Sequence, residues 1–184
     1  MNTPRGVWLD DLTRQEAVSR FADSAVAVVP VAPESPDLPH LPLKTMTVIA
    51  RALGQRLLER LPIVVAPVVY AGSVSRRDTR ERVLVDRLDM LEALGARRIA
   101  IVEVSPSPGV VPALPAEALV LRVGGRIDAD EYPTSCLMAL DPRSVRMPLL
   151  PAGSRAQAFV GERAMAADVD ALADGLRARW PDLV

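Results

Sequence analysis

Val26-Ala-Val-Val-Pro-Val-Ala-Pro-Glu-Ser-Pro-Asp-Leu-Pro-His-Leu-Pro-Leu-Lys-Thr-Met46 is the stretch whose reading decides the fold. It opens as an apolar run, Val26 to Val31, of the kind a buried strand needs. It then enters a loop with prolines at 33, 36, 39 and 42. Proline fixes its own backbone and restricts the residue before it, so this loop is stiff. After Lys44-Thr45 the apolar residues recur at helical spacing. A strand that empties through a loop into a helix belongs to an open α/β fold, which places its sites at the carboxyl edge of the sheet. The chain's one histidine, His40, lies in this loop with Glu34, Ser35 and Asp37. A functional site is expected here.

Upstream, Thr13-Arg-Gln-Glu16 reads as a capping box, with a hydroxyl to cap the first turn and a glutamate to answer it. The helix it opens spans about residues 14–22, with Ala17, Val18 and Phe21 on one side. Residues 1–11 read as an arm, and the first strand as residues 25–31. Downstream, 47–61 reads as a helix with Val48, Ile49, Ala52, Leu53, Leu57 and Leu61 as its apolar stripe, stopped by Pro62. Ile63 to Val69 is a continuous, β-branched run, expected as one parallel strand buried on both faces. Residues 79–94 form a third helix with Val83, Leu84, Leu88, Leu91 and Leu94 inward, ended by Gly95. Strands follow at 98–104 and 118–123. The proline-rich segment between them reads as a rigid connector. Asp128 or Asp130 is placed to cap a helix over 131–140, with Pro133 tolerated in its first turn. Residues 143–160 look irregular. A closing amphipathic helix over 161–180 turns Met165, Val169, Leu172 and Leu176 inward. The alternation predicts one α/β domain over residues 1–184, a three-layer α/β/α sandwich on a mostly parallel sheet.

The 184 residues suit one domain with a full core, and 49% apolar with 24% charged residues is ordinary globular composition. A net charge of −1 offers no clustered positive surface, so no nucleic-acid partner is expected. One cysteine, Cys136, excludes an internal disulfide and a cysteine-based zinc site. One histidine excludes the usual multi-histidine metal sites. No apolar run reaches membrane-span length and the N-terminus lacks a signal-peptide core, so no membrane contact and a cytoplasmic location are expected.

Several motifs then line up in order. Leu12-Thr-Arg-Gln-Glu-Ala17, Pro39-His-Leu-Pro-Leu43 with Thr45, Pro67-Val-Val-Tyr70 with Ser73, Gly95-Ala-Arg-Arg-Ile99, and Thr134-Ser-Cys-Leu-Met-Ala-Leu140 with Pro142 and Val145 carry a family likeness. On these residues the chain resembles the creatininase family of amidohydrolases over nearly its whole length, with Pro39 to Leu43 and Thr45 the most specific part. The resemblance implies a creatininase-like fold, ring-like homo-oligomers and a two-metal hydrolytic site.

It also implies departures at that site. The family's ligands are a glutamate and a histidine of an EQH motif, the aspartate of LxTD, and a histidine and an acidic residue of an HGGN-type loop. Carried across by position, they fall on Ser35, Asp37, Met46, Ser105 and Ser107. A later family histidine falls on Asp128, while Glu131 keeps the family's glutamate. A shift of one residue places Glu34 on the first glutamate position but returns no histidine. The segment between Tyr70 and Gly95 is short and lacks the FPGT-like loop that helps wall the family's pocket. A two-metal hydrolase needs carboxylates and imidazoles that converge on both ions. Serine hydroxyls and a thioether do not supply that, so no metal and no other cofactor is expected.

His40 then has two readings, a loop-fixing hydrogen bond or a lone general base near neutral pH, the latter with Asp37, Glu34 or Asp128 as orienting carboxylates. Glu34, Asp37, Asp128 and Glu131 together are also an oxygen set that a hard ion such as Mg²⁺ accepts. Ser35, Thr45, Ser105, Ser107, Asp128 and Glu131 are the expected pocket residues, with Ser105 and Ser107 reading first as turn residues. Cys136 reads as a buried inert thiol or, being near a helix start, a reactive thiolate. Trp8 and Trp180 read equally as interface anchors or as core. The expected function is a non-catalytic scaffold or regulatory subunit, or a small-molecule binder. Such a protein self-associates or pairs with an active creatininase-like paralogue. The alternative is a metal-independent, amidohydrolase-like enzyme acting on a small cyclic amide or formamide.

Overall fold

The structure, a computed structural model, describes residues 6–34, 37–71, 77–106 and 118–183. Among the described residues six strands form one sheet: β1 (Val7–Trp8), β2 (Ala27–Pro33), β3 (Val64–Val65), β4 (Val69–Ala71), β5 (Ile99–Val104) and β6 (Leu119–Val123). Their order is β1-β3-β2-β5-β6, with β4 also on β2, and every pairing is parallel. The helices are α1 (Arg14–Ala22), α2 (Thr45–Leu58), α3 (Arg77–Ala93), α4 (Glu131–Leu140) and α5 (Ala158–Arg179).

The central strand β2 is buried on both faces, which is why its sequence is a continuous apolar run rather than an alternating one. Val28 and Ala32 join Val65, Ala100, Val102 and Val104 beneath α2, α4 and α5. Ala27, Val29 and Val31 join Val64, Val69 and Ile101 against α1 and α3. The result is the expected α/β/α sandwich.

Local chemistry sets several boundaries. The Glu16 N–H donates to Thr13 Oγ1 at 3.3 Å and the Thr13 N–H to Glu16 Oε2 at 2.7 Å, so the capping box fixes the start of α1. Gly95 adopts φ +96°, a left-handed turn beyond α3 in which the Ala96 N–H bonds the Leu91 carbonyl.

The structure corrects other expectations. Part of the expected arm belongs to the sheet: Val7 and Trp8 pair with Val64 and Val65 as an edge strand. A strand of two residues takes its definition from its neighbour, and no periodicity betrays it. The single strand expected at 63–69 is two. Ala27 faces Val64 but Val31 faces Val69, so four steps along β2 oppose five along its partner. This is a bulge around Pro67, which has no N–H to give to the ladder. Val18 and Val83 are exposed, not inward. Asp130 stands at the start of α4 without a side-chain cap. Asp128 instead accepts from the Asp130 N–H through its carboxylate, and from Glu131 and Tyr132 through its carbonyl. The segment 143–160 contains two 3-10 turns, Pro142–Ser144 and Met147–Leu149, and the first turn of α5. The connector between β5 and β6 lies mostly outside the described residues.

α4 and α5 cross with their backbones in contact. A Cβ on Gly161 would stand 2.1 Å from the Ser135 carbonyl oxygen, with no flexible side chain there to yield. Gly161→Ala therefore forces the helices apart. The expected cost is at least about 1–3 kcal/mol, read as a lower urea midpoint at unchanged m-value.

Candidate functional site at the carboxyl edge of the sheet

β2, β5 and β6 end at Pro33, Val104 and Val123, and the loops beyond them carry most of the sequence-predicted site. The loop after β6 leads into α4, which also holds the segment ahead of α5 and the loop after β2. Its Glu131 Oε1 accepts from the Arg155 N–H at 3.2 Å, and its Ser135 Oγ from the Gln157 N–H at 3.2 Å. The approach to α5 is thereby fixed. Its Thr134 receives the loop after β2.

That contact is made by His40. The ring is 2% exposed, and Nε2 lies 2.9 Å from Thr134 Oγ1. The His40 carbonyl accepts from the Arg146 N–H at 3.0 Å. Beside it, Leu41 packs with Leu137 and Val145 in a small apolar cluster that Leu38, Val48 and Met138 border. Burial holds the imidazole pKa below its usual value, and the field of Asp130 opposes this.

The other predicted residues are dispersed. Asp37 is exposed on the loop, and Glu34 is partly buried at the end of β2. Thr45 is buried, its hydroxyl donating to the Pro42 carbonyl at 2.6 Å. Ser105 is half-buried, its N–H on the Val123 carbonyl. Asp128 is exposed within its own turn, and Glu131 is partly buried on the Arg155 N–H. Met46, in the first turn of α2, is fully buried in the core. Ser35 and Ser107 lie outside the described residues.

Two buried carboxylates escaped the sequence reading. Glu103 on β5 is 1% exposed and accepts from Arg122 Nε of β6 at 2.8 Å, the two residues standing opposite in register. Asp168 on α5 is fully buried; its Oδ2 accepts from the Tyr132 hydroxyl at 2.7 Å and its Oδ1 faces Arg126 Nε at 3.4 Å. Burial raises the Asp168 carboxyl above its usual range against the pull of Tyr132, the Gly124 N–H and Arg126. The Tyr132 hydroxyl, also buried, is raised and stays protonated. A signal for each existed. Glu103 and Arg122 are the lone charges, of opposite sign, in two otherwise apolar strands. Asp168 stands between Met165 and Leu172 on the inward stripe of α5.

Cys136, with its Sγ 3.8 Å from the Gly161 carbonyl, is buried and its thiol is pushed up to about 12, mainly by burial. It is an inert packing group. Trp180 is core and Trp8 is half-buried on α2, its indole N–H on Gln55 at 2.9 Å. A groove of about 550 Å³ lined by Gly6, Trp8, Asp11, Gln55 and Glu59 lies at the start of β1 and the end of α2. That is the opposite edge of the sheet.

A two-metal centre does not fit these side chains. Among the described residues, no three His, Cys, Asp or Glu side chains converge on a point where an ion would sit. His40 has one nitrogen in a protein hydrogen bond, Asp128 accepts from the Asp130 N–H within its own turn, and Glu131 accepts from the Arg155 N–H.

The molecule is thus an α/β protein with a parallel sheet whose β2 loop closes on the helix that follows β6. Comparison with solved structures gives this architecture a closer relation. A creatinine amidohydrolase (creatininase) matches at TM-score 0.75 and 16% identity, covering 95% of this chain and 98% of that one. A creatininase designated Mn matches at TM-score 0.77 and 18% identity, covering 96% of this chain and all of the other. A glutamate-to-glutamine creatininase variant complexed with creatine matches at TM-score 0.76 and 16% identity over 96% of this chain and 100% of that one. The fold is creatininase-like. No protein-family model and no curated protein sequence matches the chain.

Tyr132→Phe leaves Asp168 Oδ2 buried without its donor. We expect a loss of about 1–3 kcal/mol in stability, measured by urea denaturation.

Proposed function

We propose that this chain is a non-catalytic protein on a creatininase-like fold, acting as a scaffold or regulatory subunit whose carboxyl-edge loops bind a small molecule or a partner chain. The observation that carries the reading is the use to which the edge side chains are put. His40 closes a loop onto α4, Met46 fills the core, Asp128 shapes a turn and Glu131 holds the backbone ahead of α5. Each does structural work where a two-metal hydrolase needs convergent donors. The partner consistent with the resemblance is a second copy of this chain or an active creatininase-like paralogue. Among the described residues no helix is long and apolar enough to cross a membrane.

Elemental analysis of the purified chain, together with assays on creatinine, other small cyclic amides and formamides with zinc or manganese supplied, tests this reading. Substoichiometric metal and no turnover are expected. Stoichiometric zinc or manganese, removed together with a measurable hydrolysis, overturns it. So does metal-independent turnover that His40→Ala abolishes.

A further inference from the structure

The two nitrogens of His40 stand in unlike surroundings. Nε2 is 2.9 Å from Thr134 Oγ1. That hydroxyl has one hydrogen, and Oγ1 also lies 3.0 Å from the Asp130 carbonyl oxygen. A carbonyl oxygen only accepts, so Oγ1 donates to Asp130 and accepts from His40. Nε2 therefore carries the proton. Nδ1 is a bare lone pair, buried, with no hydrogen-bond partner among the described residues. The other neutral tautomer is worse twice. It sets Oγ1 and the Asp130 oxygen lone pair to lone pair, and it buries an Nδ1–H without an acceptor. The doubly protonated ring keeps that orphaned N–H and adds a charge to a side chain 2% exposed.

We propose that His40 is a proton-sensitive latch: the neutral ring, donating through Nε2 to Thr134, holds the 38–44 loop against α4, and protonation at Nδ1 releases it. The latch is a mechanical property of the loop and holds whatever the site binds. Leu41 and the His40 carbonyl add to the attachment, at Leu137, Val145 and the Arg146 N–H.

Among the described residues, the charged groups of the elements packed against the loop are these. Asp130, at the start of α4, favours the cation, and burial outweighs it. Further along α4, Glu131 is turned to the Arg155 N–H and the Cys136 thiol is neutral. In the turn after α4, Asp141 lies 4.0 Å from Lys44, and the Arg146 guanidinium donates to the Ser144 carbonyl at 3.1 Å. Asp37, on the loop itself, is exposed. The closed loop disfavours the added proton. Closure is therefore complete above the ordinary histidine value of 6.5 and weakens as pH falls from there toward the depressed one.

Two measurements test the latch. Nitrogen-detected NMR of the imidazole at neutral pH is expected to show a protonated Nε2, a bare Nδ1 and a titration midpoint below about 6.5. A protonated Nδ1 at neutral pH, or a midpoint at or above that value, overturns the proposal. Hydrogen exchange of residues 38–46, corrected for the intrinsic effect of pH, is expected to accelerate on acidification by up to about tenfold per pH unit. In His40→Gln, whose amide donates to Thr134 without titrating, the same residues are expected to show no such acceleration. A flat wild-type profile, or an equal response in His40→Gln, overturns the proposal. If His40→Gln does not fold, the imidazole titration of the wild type decides alone.

Discussion

The missing side chain at Gly161 governs the carboxyl edge of this molecule. It lets the backbone of α5 lie on the carbonyl of Ser135, and three contacts follow. Ser135 reaches the Gln157 N–H, Cys136 reaches the Gly161 carbonyl, and Tyr132 meets Asp168 in the core. α4 is thereby fixed as a platform, and the loop after β2 closes on it through His40 and Leu41. The position of the one histidine is thus inherited from a helix crossing far along the chain. Widening that crossing moves the loop as well as the helices.

The buried charges belong to the same design. Among the described residues each buried carboxylate has an arginine whose Nε is turned to it while much of the side chain stays in water, Arg122 for Glu103 and Arg126 for Asp168. A carboxylate in this position adds little net stability over an apolar residue of the same shape, but it is costly to leave unpaired. The pairs therefore select one register of β6 on β5 and one placement of α5 against the turn after β6. Specificity of packing is the physical return, and among the described residues no cluster of acidic ligands results.

How much of this could be read from the chain follows from how local each determinant is. The start of α1 was legible because Thr13 and Glu16 cap it within one turn. The strand β2 and the span of α4 were legible from an apolar run and its stop signals, Asp141-Pro142 included. The edge strand Val7–Trp8 was not, since it exists through β3. Val18 and Val83 fit an apolar stripe but lie at its border, where the neighbouring layer does not reach. At the site, the residues were legible one by one and their partners were not. His40 had two readings until Thr134, 94 positions away, was placed beside it. Glu103 and Asp168 carried a visible signal as lone charges on apolar faces, but a signal of burial and not of function.

The bulge between β3 and β4 has an effect beyond the strand it interrupts. Side chains alternate along a strand, so one extra residue reverses which layer every later side chain enters. With it, Val69 and Ala71 pack toward α1 and α3, and Tyr70 stands opposite Ala32, half in water at the carboxyl end of the sheet. Without it, Tyr70 would fall opposite Pro33 and be driven into the layer that Val29 and Val31 fill. A single insertion at a proline thus decides whether an aromatic ring serves as packing or as part of the rim.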